Sequence, residues 1–521
     1  MTNNPYDFPN DSGSPPRGEP LGFPPPKKKK RFVFWILIAV IFIGLVFLVS
    51  VAMAYKFYTT SRKVIEVNSP SSFFGSIQQL ANGKKKPLRG ENEERINILL
   101  LGLAGENYPG ENLTDSIIIA SVNPKTYQTA LLSIPRDFYV RIPDADGYTK
   151  INALYARGKD RHGRGAEGID DLKKALTDIT GLDINYYIAI DFDGFKKIIG
   201  ELGGIKVQVP KDIHDERYPG PNFSYQTFDI KKGLYTFDGE TALKYARTRH
   251  DEDGDFGRAY RQQQILETVR QKAFSIETLV NIPAINNILN ILGDHLRTDV
   301  PLDKLESFLD LAKKIDTHTT INKVLDAGRP DSLMAVSHVA LGRVQAFILI
   351  PRTGNYDEIW ELADNIFNLD LIERKRKAAE NENAKVVIIN RSGESNFDGK
   401  LATLLKKLGY GTKIVDSTLN KNSPVSGTTV VYDLSNGSKP FSLEDVSKKL
   451  SAKVALSLPA DLSSQCGGSD FCLVAGTNLA DNLNYDEGTV QELEQGYDQQ
   501  QIDERQYIDL LKKGSDKKFT H

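Results

Sequence analysis

The chain has 521 residues, 40% of them hydrophobic and 26% charged, fractions close to globular averages, which exclude a wholly disordered, collagen-like or multi-span membrane protein. Sixty-six basic residues against 68 acidic ones give a formal net charge of -2, so no global basic field points to nucleic acid. Two cysteines exclude a disulfide-dense scaffold and a four-cysteine zinc site.

Residues 1–31 read as a disordered cytoplasmic tail, rich in Pro, Gly and Ser and closing on the basic run Lys27–Arg31. The uncharged run 32–55 extends roughly 36 Å as a helix, enough to cross a membrane once. Ala52-Met53-Ala54 fits a signal-cleavage pattern, but the run exceeds the roughly 7–15 residues of a signal core, so an uncleaved anchor is expected. The basic bias before it puts the N-terminus in the cytoplasm and the rest outside.

A stalk over 56–92 leads to an α/β pattern over 93–370. Ile96–Gly102, Ser116–Val122 and Thr129–Ile134 read as buried strands. Helical spacing follows at Leu172, Leu176 and Ile179, then strands Tyr186–Ile190 and Ile205–Val209 around a helix Phe192–Leu202. Residues 275–325 are expected to be mostly helical, with a late strand Val344–Ile350 and a closing helix Tyr356–Phe367. The fold class expected is a mixed α/β sheet covered by helices. The charged stretch 371–383 reads as a solvated linker. Residues 384–478 carry a β-α-β-β-α-β order that suits a second, smaller α/β domain, and 479–521 form a polar tail. Cys466 and Cys472 are expected to be bridged on the exported side.

Charges gather where apolar runs end: at Leu113-Thr114-Asp115-Ser116, at Ser133-Ile134-Pro135-Arg136-Asp137, and from Tyr245 to Gln262. Strand ends of α/β sheets are where ligands usually sit. Arg136, Arg247, Arg249, Arg258 and Arg261 suit a substrate with several negative charges, because guanidinium stays protonated and matches phosphate oxygens. Arg258 and Gln262, at i and i+4, share one helix face. Asp115 and Asp137 would repel a bare phosphate unless a hard divalent cation joined acid to phosphate, and phosphoryl transfer uses those parts. Surface ion pairs and caps are the alternative reading. Arg136, at a strand end, is expected to be partly exposed and to contribute little packing. Gly163–Gly168 matches G-x-G-x-x-G but follows a polar loop rather than a strand. The scattered histidines and the lack of a G-x-S-x-G elbow exclude zinc and serine hydrolases.

Together these segments, with Lys150-Ile151-Asn152-Ala153, Asp255-Phe256-Gly257-Arg258 and Arg261-Gln262-Gln263, resemble the LytR-CpsA-Psr family over about residues 93–370; 384–478 resembles the C-terminal domain often appended to it. The resemblance implies a phosphotransferase of the bacterial cell membrane. It would move a glycopolymer, such as a teichoic acid or capsular polysaccharide, from a polyprenyl diphosphate carrier to a hydroxyl of peptidoglycan, with Mg2+. It implies an apolar tunnel for the polyprenyl tail of this membrane lipid, with arginines over the diphosphate. Asp115 and Asp137 would serve the metal, Arg136, Arg247 and Arg249 the transfer, and Arg258, Gln262, Lys150, Arg261 and Asp255 the substrate. A scaffold that binds without transferring, and a lipid-diphosphate phosphatase, are the alternatives; nucleic acid is not an expected partner. Where the family commonly carries an aspartate after the first strand, this chain has Ala104.

Overall fold

The computed structural model describes residues 86–483, apart from 106–107, 109, 163–164, 220–224, 250–253, most of 276–294, 316–318, 328, 330, 342–343 and 416–423. The expected anchor, the cytoplasmic tail and most of the stalk and polar tail lie outside the described residues. Among those described, no helix is long and apolar enough to cross a membrane.

The strands in chain order are β1 (Ile96–Leu103), β2 (Thr114–Val122), β3 (Thr129–Ile134), β4 (Tyr139–Arg141), β5 (Tyr148–Lys150), β6 (Tyr186–Asp191) and β7 (Ile205–Val209). They continue with β8 (Ile213–Pro219), β9 (Tyr225–Ile230), β10 (Gly233–Phe237), β11 (Leu296–Thr298), β12 (Ile321–Val324), β13 (Met334–Leu341) and β14 (Val344–Pro351). Six of them form the central sheet, in the order β11-β6-β1-β2-β3-β12. β1 is antiparallel to β2 and parallel to β6, while β3 is antiparallel to β2 and parallel to β12. One edge therefore collects the carboxyl ends of β1, β3, β6 and β12 and the amino end of β2.

Side chains alternate across a strand, and here both faces are buried, which is why β1 and β2 read as unbroken apolar runs. Leu99, Leu101, Ile117 and Ile119 pack with Leu172, Leu176 and Ile179 of the helix Gly165–Thr180. Ile96, Ile98, Ile118 and Ala120 pack on the opposite face with Tyr186 and Leu311.

The region expected to be mostly helical contributes two short edge strands, β11 and β12. At three and four residues they are too short to show a period, and pairing with β6 and β3 supplies their hydrogen bonds. The stretch read as a linker is instead the helix Leu369–Glu382, ended by Asn383 in the left-handed conformation. Its charges pair along the helix, Arg376 with Glu373 and Glu380, and Lys377 with Glu373.

The second sheet contains β15 (Lys385–Asn390), β16 (Gly411–Ile414), β17 (Val430–Asp433), β18 (Lys453–Ala455) and β19 (Phe471–Ala475), in the order β16-β15-β19-β17-β18. Every strand and helix expected in this part is present with shifted ends, and β18 is additional. A seam joins it to the first sheet. Leu349 of β14 donates its backbone N–H to the carbonyl of Asp137 at 2.9 Å. Beyond the end of β14, Arg352 forks onto Glu358 at 2.7 and 2.6 Å, and Lys449 approaches the same carboxylate at 3.4 Å. Burial opposes the charge of Glu358, but Arg352 and Lys449 outweigh it and hold the carboxyl below its usual range. Asn355 donates to the carbonyls of Lys448 and Lys449 at 3.2 and 3.0 Å. Gly354, at φ +73°, fits here because a Cβ would lie 2.5 Å from the carbonyl oxygen of Asn482.

Cys466 and Cys472 are bridged, with Cα atoms 5.6 Å apart. The double substitution Cys466→Ser with Cys472→Ser should lower the stability of the second sheet by roughly 2 kcal/mol, the worth of closing so short a loop. Intact mass with and without reductant reads the bond, and thermal melting of the substituted protein reads the loss.

Candidate active site

Arg136 leaves the end of β3, and Asp115 lies near the start of β2, beside the irregularity between Gly102 and Leu103 in the β1–β2 register. The Arg136 Nη1 donates to Asp115 Oδ1 at 2.9 Å, and its Nε stands 3.6 Å from Asp137 Oδ2. On the far side of Asp137, the Lys150 Nζ donates to Oδ1 at 2.8 Å. Lys150 arrives there because β5 pairs with β4, placing it opposite Tyr139. The following residues are tied back by Ile151 N–H to Phe138 O at 2.8 Å and Asn152 N–H to Arg136 O at 3.3 Å. The side chain of Arg136 is 5% exposed, that of Asp137 2% and that of Asp115 27%.

Burial opposes ionisation of Asp115, but the guanidiniums of Arg136, Arg258 and Arg247 outweigh it and hold the carboxyl below the usual range. Asp137 is likewise opposed by burial and held low by Lys150, Arg136 and Arg258. Both acids are therefore ionised at neutral pH.

A cleft opens over this cluster, lined by Asp115, Ser133, Arg136, Arg258, Gln262 and Val324 among others. Arg258 and Gln262 reach it from one face of the helix Gly254–Ala273, as their spacing predicts. The Gln262 Nε2 donates to the carbonyl of Ala246 at 3.2 Å. The cleft is small, and its lining mixes charged with apolar side chains.

Arg247 ends the helix Gly239–Arg247. Its guanidinium lies 4.5 Å over the ring of Phe192 and 5.7 Å from that of Tyr218, with Nη1 donating to the Tyr218 hydroxyl at 3.4 Å. Arg249 is buried just beyond, and its backbone N–H donates to Asp215 Oδ2 at 3.2 Å. Arg261 is turned inward, donating from Nε to the carbonyl of Tyr245 at 3.1 Å and from Nη2 to that of Thr248. It fastens the turn that carries Arg247 and Arg249. Asp255 occupies the first turn of the helix that bears Arg258.

Sequence reasoning missed Asp215, which is fully buried on β8 and accepts from the Thr248 hydroxyl as well as from Arg249 N–H. The alternation of Ile213, His214, Asp215 and Glu216 carried that signal, since it turns Asp215 inward with Ile213. It also missed Gln263, whose Nε2 donates to Ser133 Oγ at 2.8 Å and to Lys323 O at 3.0 Å, linking the helix to β3 and β12.

Of the two acids expected to hold a metal, Asp115 opens on the cleft, while Asp137 is taken up by Lys150 and Arg136. Among the described residues no group of three or more His, Cys, Asp or Glu side chains could hold a metal ion. The donor set fits magnesium in its common mode, one carboxylate with the shell completed by phosphate oxygens and water.

A model of the LytR_cpsA_psr family matches residues 53–335, more than half of the chain. The polyisoprenyl-teichoic acid–peptidoglycan teichoic acid transferase TagU of Enterococcus faecalis is 29% identical over 281 residues, 53% of this chain and 82% of that protein. The regulatory protein MsrR of Staphylococcus aureus is 34% identical over 213 residues, 40% of this chain and 58% of its own length. The polyisoprenyl-teichoic acid–peptidoglycan teichoic acid transferase TagV of Bacillus subtilis is 33% identical over 276 residues, 50% of this chain and 64% of its own. The chain thus spans less than two thirds of MsrR and of TagV.

Contrary to its expected partial exposure, Arg136 is buried between two carboxylates. Arg136→Ala should therefore destabilise the fold, by about 3–5 kcal/mol for a broken buried pair. Arg136→Lys keeps the charge and should lose much less. Both acids have folded-state values below the unfolded carboxylate range near ~3.9, so their contribution is complete above that range and is lost as pH falls through the lowered values. Melting temperature against pH should be flat near neutrality and drop below about pH 4; in Arg136→Ala, whose acids lose part of that depression, the acid-induced drop should be smaller.

Proposed function

We infer that this chain, which belongs to the LytR_cpsA_psr family, attaches a wall glycopolymer carried on polyprenyl diphosphate to a hydroxyl of peptidoglycan through a phosphodiester bond. The observation that carries this reading is the convergence of Arg136, Arg258 and Gln262 with Asp115 on one cleft. The names of TagU and TagV as teichoic acid transferases support the substrate class.

In this reading the acceptor oxygen attacks the phosphorus next to the sugar. A new P–O bond forms, the bridging P–O bond breaks, polyprenyl phosphate departs, and the hydroxyl proton passes to solvent or base. Such a transfer asks the protein for positioning and charge stabilisation more than for covalent chemistry. Arg136 and Arg258 grip phosphate oxygens with guanidinium forks, and Gln262 donates a neutral hydrogen bond. Arg247, oriented by Phe192 and Tyr218, adds charge from the next turn. Arg249 completes that turn, and Asp255 supports the helix that presents Arg258. Asp137 positions Arg136 and Lys150. Magnesium held by Asp115, phosphate oxygens and water would neutralise charge on the diphosphate.

We place the domain on the outer face of the cell membrane, anchored by residues 32–55. The Cys466–Cys472 bridge supports that side, since such bonds persist in oxidising compartments. Residues 384–478 serve as the appended C-terminal domain of the family.

Incubating the protein with a lipid-linked oligosaccharide, peptidoglycan fragments and magnesium tests the reading. A phosphodiester conjugate is the expected product; release of free phosphate would make the protein a phosphatase, and no turnover would make it a binder. Arg258→Ala should slow transfer about 10²–10³-fold, the usual worth of one donor to developing negative charge.

A further inference from the structure

The β4–β5 hairpin carries a feature that the transfer chemistry does not use. Tyr139 pairs with Lys150 and Arg141 with Tyr148 across it. Alternation therefore puts Tyr139, Arg141, Tyr148 and Lys150 on one face, while Val140 and Thr149 are buried on the other. On the open face the rings of Tyr139 and Tyr148 stack, with centroids 5.5 Å apart and planes at 23°. Tyr148 is 58% exposed, and the hairpin is anchored on its other face by the buried Val140 and Thr149. An aromatic pair held at the surface in this way presents the exposed Tyr148 ring, a flat π face with a hydroxyl at its tip. That combination suits a pyranose ring, whose C–H groups lie against the negative face while its hydroxyls meet the polar tip.

The ledge is continuous with the site. From the cleft, Arg136 leads to Asp137, Asp137 to Lys150, and Lys150 to the open face of the hairpin. We propose that Tyr139 and Tyr148 form a stacking platform for sugar rings of the acceptor glycan, the peptidoglycan strand. This rests on the transferase reading for its substrates, and two features favour the acceptor over the polymer being transferred. The phosphates of the donor occupy the arginine-lined cleft on the other side of Arg136. On the hairpin turn Asp144 pairs with Lys174, and the exposed Asp146 offsets the exposed Arg141, a surface with no excess of positive charge to draw an anionic polymer.

The test is direct binding to the full chain of an N-acetylglucosamine–N-acetylmuramic acid oligosaccharide released from peptidoglycan, followed by calorimetry. Tyr148→Ala should weaken binding about tenfold, with melting temperature unchanged, and Tyr148→Trp should retain it. In the transfer reaction the same Tyr148→Ala change should raise KM for the glycan acceptor by a similar factor and leave kcat and the donor KM alone. Unaltered binding by Tyr148→Ala, or no binding by the unsubstituted protein, would overturn the proposal. So would a rise confined to the donor KM, which would assign the ledge to the transferred polymer. Glycan binding that depends on Tyr148 in a protein that transfers nothing would uphold the platform and refute the transferase reading, so the two failures are distinct.

Discussion

One guanidinium held between two carboxylates, the buried Asp137 and the half-buried Asp115, governs the architecture of the site. Arg136 cannot leave without stranding charge in Asp115 and Asp137, and neither acid is neutralised by protonation near pH 7. The hairpin that follows is folded back so that Lys150 can face Asp137. Two acids and two cations then cancel. The guanidiniums of Arg258 and Arg247 add their pull on Asp115 from the neighbouring helices.

The basic residues between Tyr245 and Gln262 divide that labour. Arg261 spends its donors on the carbonyls of Tyr245 and Thr248, and Asp215 grips the same turn from β8. With the backbone so fastened, Arg247 can rest on the aromatic faces of Phe192 and Tyr218, and Arg258 can project from the next helix into the cleft. An arginine sequence that looks uniform is thus made of supports and contacts, distinguishable only by what their nitrogens touch.

The central strands were legible because burial on both faces makes β1, β2 and β3 read as apolar runs, and the cluster was legible because charges at the ends of such runs have few structural uses. What stayed hidden depends on partners far away in the chain. β11 and β12 are strands because β6 and β3 lie beside them, and three or four residues hold no period. The helix Leu369–Glu382 looked like a solvated linker because its order comes from ion pairs along its own surface rather than from an apolar stripe. The burial of Arg136 follows from Asp115 meeting it, and Lys150 meeting Asp137, through separate strands, which local pattern does not record. Asp215 was visible in the alternation of its strand, but only the fold says that Thr248 and Arg249 stand opposite.

The seam around Glu358 bears on where this chain can be divided. β14 touches the Arg136–Asp137 cluster through Leu349 and Asp137, then runs straight into the loop that meets Lys448, Lys449 and Asn482. A truncation near residue 370 would preserve every strand of the first sheet and still remove Lys449 from Glu358 and the backbone that Asn355 caps. The second sheet is therefore less a removable cargo than a keystone, and a shortened protein inherits an exposed joint two elements away from its own chemistry.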